Sequence, residues 1–494
     1  MSTEIANMQN PIRNILSRAW KILRAVLAAC GWGLLVLFTL LAGYIVAWMA
    51  YTRVRIGGVQ AEETLPILGI AIAIAAVLAF VLARFFSRPR MVGLAVLGTL
   101  GLLVTGGGIW TLARPADALF WARQLGWGDS SIEDHEIFPQ RPVANAAPAF
   151  IFPAGTRAVT FGPIEYRSDG EMQSAAFEEF LASTDTAAFL VIRDDALLYE
   201  GYFNGYRRDS LLTAFSVSKS ITSALIGIAI DEGYIGSVND RMTDYLPELR
   251  GRGFDDVTLR DLLMMSAGIR YVPDDEVSPL AEITQFTDSG LAYSHPGLRG
   301  LGLTVQPDGK APGTEFNYNE YHPILLGMIL ERATGRSAAE YLEEKIWKPL
   351  GMEYGASWSL DSEEDGFELM GSGVNGRAID FAKIGRLFLH NGIWEGKRIL
   401  SEQWARESTA PISCDGRTWH VYQDWKDAGG YYSYLWWGMT RPDGGYDFAA
   451  QGHLGQWIFV SPRTDTVIVR FGTGEGGVDS WMEVFQELAE RLAA

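Results

Sequence analysis

Ser216 and Lys219 stand three residues apart in the run Phe215-Ser-Val-Ser-Lys-Ser-Ile-Thr222. Residues i and i+3 share one face of a helix, so helical backbone here brings the amine within reach of the hydroxyl, the pairing of a nucleophile with its base. A Ser at a helix start more commonly caps the first turn, so the pair gains weight only from its surroundings. No other Ser in the chain has a Lys three residues later, and the G-x-S-x-G elbow of another serine-hydrolase class is absent. The chemistry that fits is attack of Ser216 on a carbonyl.

The element that must hold this pair is a helix over 216–230. Its Ser220-Ile-Thr-Ser-Ala-Leu-Ile-Gly-Ile-Ala-Ile230 portion has the small, aliphatic composition of a helix buried nearly all round, and Asp231-Glu-Gly233 ends it. Its N-terminus offers free N–H groups and a positive dipole end to an oxyanion. Upstream, Ala187 to Arg193 and Ala196 to Phe203 flank Asp194-Asp195 and predict a hairpin. Downstream, helices are expected at 259–265, 324–332, 338–347 and 379–389. Short strands follow at 447–450, 456–461 and 466–471, then an amphipathic helix over 481–492. Two strands, a long helical insert, three strands and a helix make an α/β fold, an antiparallel sheet flanked by helices and completed by both ends of the domain. The stretch Tyr431-Tyr-Ser-Tyr-Leu-Trp-Trp437 is expected to be mostly core, with one or two rings reaching a cleft.

Charge divides the chain of 494 residues. Residues 1–114 hold 10 Lys+Arg against 3 Asp+Glu; the remainder holds 31 against 56. An acidic second part argues against nucleic acid as a partner. In the first part, charges are absent between Arg24 and Arg53, from 64 to 83 and from 91 to 113, each run long enough to cross a hydrocarbon core of about 30 Å. Three such runs in succession exceed what buried helices of a soluble domain show, and the first continues too far beyond Leu27-Ala-Ala-Cys30 to be a cleaved signal. The reading is three transmembrane helices at about 25–52, 64–83 and 91–113, with membrane lipid as a partner. Arg13, Arg18, Lys21 and Arg24 precede the first, and Arg84, Arg88 and Arg90 separate the second from the third. The basic side stays cytoplasmic, so everything after Arg114 is expected on the other face, periplasmic if the membrane is a bacterial inner one. Residues 115–180, with five prolines between 139 and 163, read as a connector, and 181–494 as the catalytic domain. Cys30 and Cys414, the only cysteines, imply no disulfide framework.

From about residue 135 onward the sequence resembles the serine β-lactamase and penicillin-binding superfamily, in particular its esterase and 6-aminohexanoate-dimer-hydrolase-like members. Ser216-Val-Ser-Lys219, the run Val257 to Gly268, Pro312-Gly-Thr-Glu-Phe-Asn-Tyr-Asn-Glu320 and Gly452-His-Leu-Gly455 carry the resemblance in that order. It implies Ser216 as nucleophile, Lys219 as proton acceptor and Tyr318 as the tyrosine of a Tyr-x-Asn element. It also implies Gly455 and His453 in a substrate-binding motif, and the backbone N–H groups of Ser216 and Gln456 as an oxyanion hole. Glu320 departs from the pattern, standing where the family has Asn. Either it turns outward and Asn319 or another group serves, or the site runs on a different charge balance. His453, where a β-lactamase has Lys, is mostly neutral at pH 7 and holds a substrate carboxylate poorly. The implied activity is hydrolysis of a small ester, amide or peptide through an acyl-serine. Its rivals are a penicillin-recognising sensor, a D-amino-acid peptidase or β-lactamase, and a non-catalytic binding module. No cofactor is implied. No metal is expected either, because His135, His295, His322, His390 and His420 have no ligand spacing.

Overall fold

The computed structural model describes Arg123 and residues 130–493 except 156–160, 272–286, 413–414 and 420. The three apolar runs expected to span a membrane, and Cys30 within the first, lie outside the described residues. Among those described, no helix is long and apolar enough to cross a membrane.

A seven-stranded antiparallel sheet organises the fold. Its strands are β1 (Thr186–Arg193), β2 (Ala196–Tyr202), β3 (Gly430–Ser433), β4 (Trp436–Thr440), β5 (Tyr446–Gly452), β6 (Gln456–Ser461) and β7 (Thr466–Gly472), in the order β3-β4-β5-β6-β7-β1-β2. The expected hairpin turns at Asp194 and Asp195, both with positive φ, and β7 pairs with β1, joining the two ends of the domain. Alternation along the strands sorts the two faces. Phe189, Val191, Trp457, Phe459 and Ile468 pack with helix α1 (Phe177–Ser183) and the C-terminal helix, here α5 (Trp481–Ala493), through Phe180, Trp481, Phe485 and Leu488. On the other face Ile458 and Val467 close on Gly385 of α4 (Ala378–Leu389).

The helical insert lies between β2 and β3. It contains α2 (Val217–Asp231) and α3 (Tyr321–Thr334), which pack on one another. The helix expected over 338–347 is a short α-turn, Ala338–Leu342, that widens to a π-turn over Glu343–Trp347. A second sheet orders Gln140–Val143, Ala356–Ser359, Val374–Gly376 and Leu212–Thr213 side by side. The proline-bearing stretch thus supplies a strand at 140–143, and it also forms the hairpin Ile164–Ser168/Glu171–Ala175.

Sequence patterning undercounts the sheet. The aromatic stretch 431–437 is a hairpin, β3 turning into β4 at Tyr434 and Leu435, both with positive φ. Neither turn position carries the Gly or Asn that advertises such a turn. Residues 431–437 are also buried throughout, which erases the alternation that reveals a strand.

Candidate active site

Helix α2 is fixed on several sides before any chemistry is considered. Residues 217–229 are all buried, and three of their four hydroxyls are tied to neighbouring elements. Ser218 Oγ accepts from the Val374 N–H at 2.9 Å, Ser220 Oγ donates to the Leu435 carbonyl at 2.7 Å, and Thr222 Oγ1 donates to the Met370 carbonyl at 3.0 Å. Polar side chains in a buried helix are tolerable when bonded in this way. Phe215, just before the helix, is held at φ 46°, a costly conformation for a side chain with a Cβ and one that recurs where geometry is imposed for function.

Ser216 occupies the N-cap position but makes no side-chain cap, so the ordinary role of a helix-start Ser does not apply. Its Oγ instead accepts from Lys219 Nζ at 2.7 Å. Ser216 keeps partial exposure, whereas Lys219 is buried. The lysine also donates to Glu320 Oε1 at 2.6 Å and to the Gly371 carbonyl at 3.1 Å. Three acceptors for three N–H bonds describe an ammonium with no lone pair free.

Glu320 turns inward, answering the question its departure from the pattern raised. It stands at the N-cap of α3 without capping it, while Asn319 Oδ1 accepts from the Tyr321 N–H at 3.0 Å and takes over that turn. Asn319 is buried, and its side-chain oxygen is taken by that backbone N–H rather than by Lys219. Space for the carboxylate comes from Gly371, where an added Cβ would stand 2.1 Å from Glu320 Oε2. Sequence reasoning missed Gly371, and nothing local to Gly371-Ser-Gly373 signals that it faces α2.

Tyr318 completes the group. Lys219 Nζ sits 4.9 Å from its ring centroid. Desolvation and then the Glu320 charge push its phenol well above the ordinary tyrosine range, with a hydrogen bond to Ser216 opposing them. It is therefore a neutral phenol, able to donate a proton and poorly able to take one in its resting form. Its ring is walled by Trp437 at 5.5 Å, Tyr422 at 5.8 Å and Tyr432 at 6.0 Å between centroids. The aromatic stretch thus sends Tyr432 and Trp437 to the site. Tyr422, half-exposed at 51%, is an addition that no motif announced.

The third motif lies at the β5–β6 turn. His453 is exposed and packs edge-on to Phe215 at 5.5 Å between ring centroids. Gln456 is buried, its side chain clamping the turn through bonds from Nε2 to the His453 and Gly472 carbonyls and from the Gly472 N–H to Oε1. Gly452, paired with Gln456 across the turn, approaches the helix start so closely that a Cβ would stand 2.5 Å from the Ala214 carbonyl and 3.1 Å from Ser216 N. Among the described residues the Ser216 N–H has no backbone acceptor.

An antiparallel sheet with a helical insert, and a Ser–Lys pair opening a buried helix beside a Tyr, define a serine hydrolase of the β-lactamase and penicillin-binding class. The family model for Beta-lactamase matches residues 174–492, and the chain belongs to that family. Among relatives, the 6-aminohexanoate-dimer hydrolase of Paenarthrobacter ureafaciens is 32% identical over 302 residues, 60% of this chain and 74% of that one. A solved Bacillus anthracis structure assigned as a 6-aminohexanoate-dimer hydrolase superposes with a TM-score of 0.62 at 25% identity, covering 76% of this chain and 94% of that one. A Bacteroides dorei structure assigned as a β-lactamase shares the fold at 19% identity and a TM-score of 0.52, covering 63% and 96%. The protein is a β-lactamase-family serine hydrolase, an amidase or esterase.

Proposed function

We propose that the protein cleaves small amides or esters, short linear amides of the 6-aminohexanoate type among them, through an acyl-Ser216 intermediate. The observation that carries this reading is the Lys219 ammonium, bonded at once to the Ser216 hydroxyl and the Glu320 carboxylate. Lys219 becomes a base by passing one proton to Glu320 Oε1, and its freed lone pair takes the proton of Ser216 Oγ as that oxygen attacks the carbonyl. Charge on the tetrahedral oxygen is met by the N–H groups of Ser216 and Gln456. The neutral Tyr318 phenol gives its proton to the departing amine or alkoxide and is refilled from Lys219. Water then enters, loses a proton along the same chain and releases the acid. Gly455 and the exposed His453 line the far side of the substrate.

A fluorophosphonate probe followed by peptide mass spectrometry tests this directly. Wild-type protein is expected to carry the label on Ser216 and to turn over p-nitrophenyl butyrate. Ser216→Ala is expected to lose the label and at least about 10³-fold in kcat while folding normally. Labelling elsewhere, or turnover by Ser216→Ala near the wild-type rate, refutes the proposal.

The same reading places the catalytic domain outside the cytoplasm on three membrane spans, supported by the run lengths and by the basic residues that flank them. Alkaline phosphatase fused after residue 494 is expected to be active. A silent fusion whose cytoplasmic reporter counterpart is active reverses the topology.

A further inference from the structure

We infer that Arg470 is a positioning residue for the oxyanion hole, holding and polarising the peptide bond that carries the Gln456 N–H; the inference rests on the acyl-serine reading above. Arg470 sits on β7, fully buried at 0% exposure, yet no carboxylate forms an ion pair with it among the described residues. Its guanidinium spends its donors on neutral oxygens. Nη1 donates to the Gly455 carbonyl at 2.6 Å, Nη2 to those of Thr184 and Gly474 at 2.6 and 2.9 Å, and Nε to Thr186 Oγ1 at 3.2 Å. The Trp481 ring lies under it, 3.9 Å from centroid to guanidinium carbon. Burial pushes its pKa down to about 9, with Glu475 and Asp185 opposing from farther off, so the group is charged at neutral pH.

A buried cation held by carbonyls, a hydroxyl and a ring, without an ion-paired carboxylate, is an expensive arrangement, and one of those carbonyls explains its use. Gly455 C=O and Gln456 N–H belong to one peptide unit. In a trans peptide the two bonds point in opposite directions. Fixing the oxygen on Arg470 therefore turns the N–H to the other side, away from β7. There Gln456 pairs with Gly452, and Gly452 abuts Ser216 N. The positive charge also draws electron density toward the carbonyl oxygen, which makes the N–H of the same unit a stronger donor, as in any polarised hydrogen-bond chain. The benefit is largest when the acceptor is an oxyanion, so it favours the transition state over bound substrate. Two further contacts keep the unit rigid. Gln456 ties the turn to Gly472 through its side chain, and the Glu475 carboxylate accepts from the Gly455 backbone.

The test compares Arg470→Met and Arg470→Lys with wild type. It uses kcat and KM for p-nitrophenyl butyrate, the affinity of butylboronic acid as a tetrahedral mimic, and thermal melting to establish folding. Arg470→Met is expected to lose about 10- to 100-fold in kcat, less than deletion of a direct oxyanion donor, with KM within about threefold. Its boronate affinity should fall in proportion, because both report the oxyanion. Arg470→Lys, which keeps the charge, should recover part of both. A merely structural residue would lower the melting temperature without coupling kcat to boronate affinity. Folded Arg470→Met with kcat within twofold of wild type, or with a loss confined to KM, overturns the inference. If Arg470→Met does not fold, Arg470→Lys is read alone: parallel losses support the role and unchanged values overturn it. A wild-type protein that neither turns over the ester nor labels at Ser216 defeats the acyl-serine reading itself, a result distinct from an active wild type indifferent to Arg470.

Discussion

Two buried lysines lie in the N-terminal halves of two helices, and only one of them faces chemistry. Lys219 on α2 and Lys383 on α4 each have a partner three residues earlier, Ser216 in one case and Asp380 in the other. Lys383 and Asp380 are both at 0% side-chain exposure, 3.1 Å apart. Lys383 also donates to the Gly351 carbonyl, and Asp380 accepts from the Glu353 and Tyr354 N–H groups. Burial pushes the Lys383 pKa down and the Asp380 pKa up. That cluster is closed, since its acceptors are already committed to backbone, to the lysine or, for the Glu353 carboxylate at 3.9 Å, to Arg208. Around Lys219 the third neighbour is a hydroxyl with partial access to solvent, and the carboxylate is 22% exposed. Burial and ion pairing are common to both. What distinguishes the catalytic candidate is a proton donor with an open side.

The contrast breaks most sharply if both lysines are removed. Lys219→Ala is expected to reduce kcat/KM by about 10³-fold or more, nearly as much as loss of Ser216, because the two act as a unit. Its melting temperature should change little, since Glu320 retains access to water. Lys383→Met should do the reverse, with kcat per folded molecule unchanged and stability to urea lowered by about 3–5 kcal/mol, the cost of stranding a buried charge. If Lys383→Met impairs turnover of folded protein, or Lys219→Ala leaves it intact, the division fails. Glu320→Gln sharpens the comparison at smaller amplitude. It keeps an acceptor beside Lys219 but removes the final proton acceptor, and about a 10²-fold loss of kcat is expected. Unchanged kcat in that variant would show that the lysine proton leaves by another route.

The smallest effect concerns His322, a third buried base, two residues after Glu320 on α3. Its Nε2 accepts from the Ala267 N–H at 3.3 Å, and burial pushes its pKa down to about 3. The unfolded chain protonates this ring near pH 6.5 and the native one does not until about 3, so the native state loses stability as pH falls through that window. The slope from this one group is about 1.4 kcal/mol per pH unit at its steepest. His322→Gln, which keeps an acceptor for Ala267, should flatten the dependence of urea midpoint on pH between 7 and 5. An identical dependence in the variant would assign the slope to other groups.

Much of this was legible in the residues themselves, because it is local. The three-residue spacing of Ser216 and Lys219 fixes a shared helix face wherever the helix goes, and the apolar run after it dictates burial. The hairpin at Asp194-Asp195 and the strand Gln456–Ser461 follow from β-rich composition and turn chemistry within a few residues. The hairpin of β3 and β4 escaped notice because its turn falls at Tyr434 and Leu435, where no Gly or Asn separates the two buried strands.

Other features are set by the tertiary structure alone, because their partners are remote in sequence. Glu320 is 101 residues from Lys219 and the Gly371 carbonyl is 152 residues away, so no local pattern tells whether that carboxylate turns inward. Packing decides it, through the absent side chain at Gly371 and through Asn319, which frees Glu320 from capping α3. Arg470 is likewise silent as a sequence feature, one arginine in a run of β-formers. Only strand pairing brings it beneath the Gly455 carbonyl and gives an unpaired buried charge something to act upon.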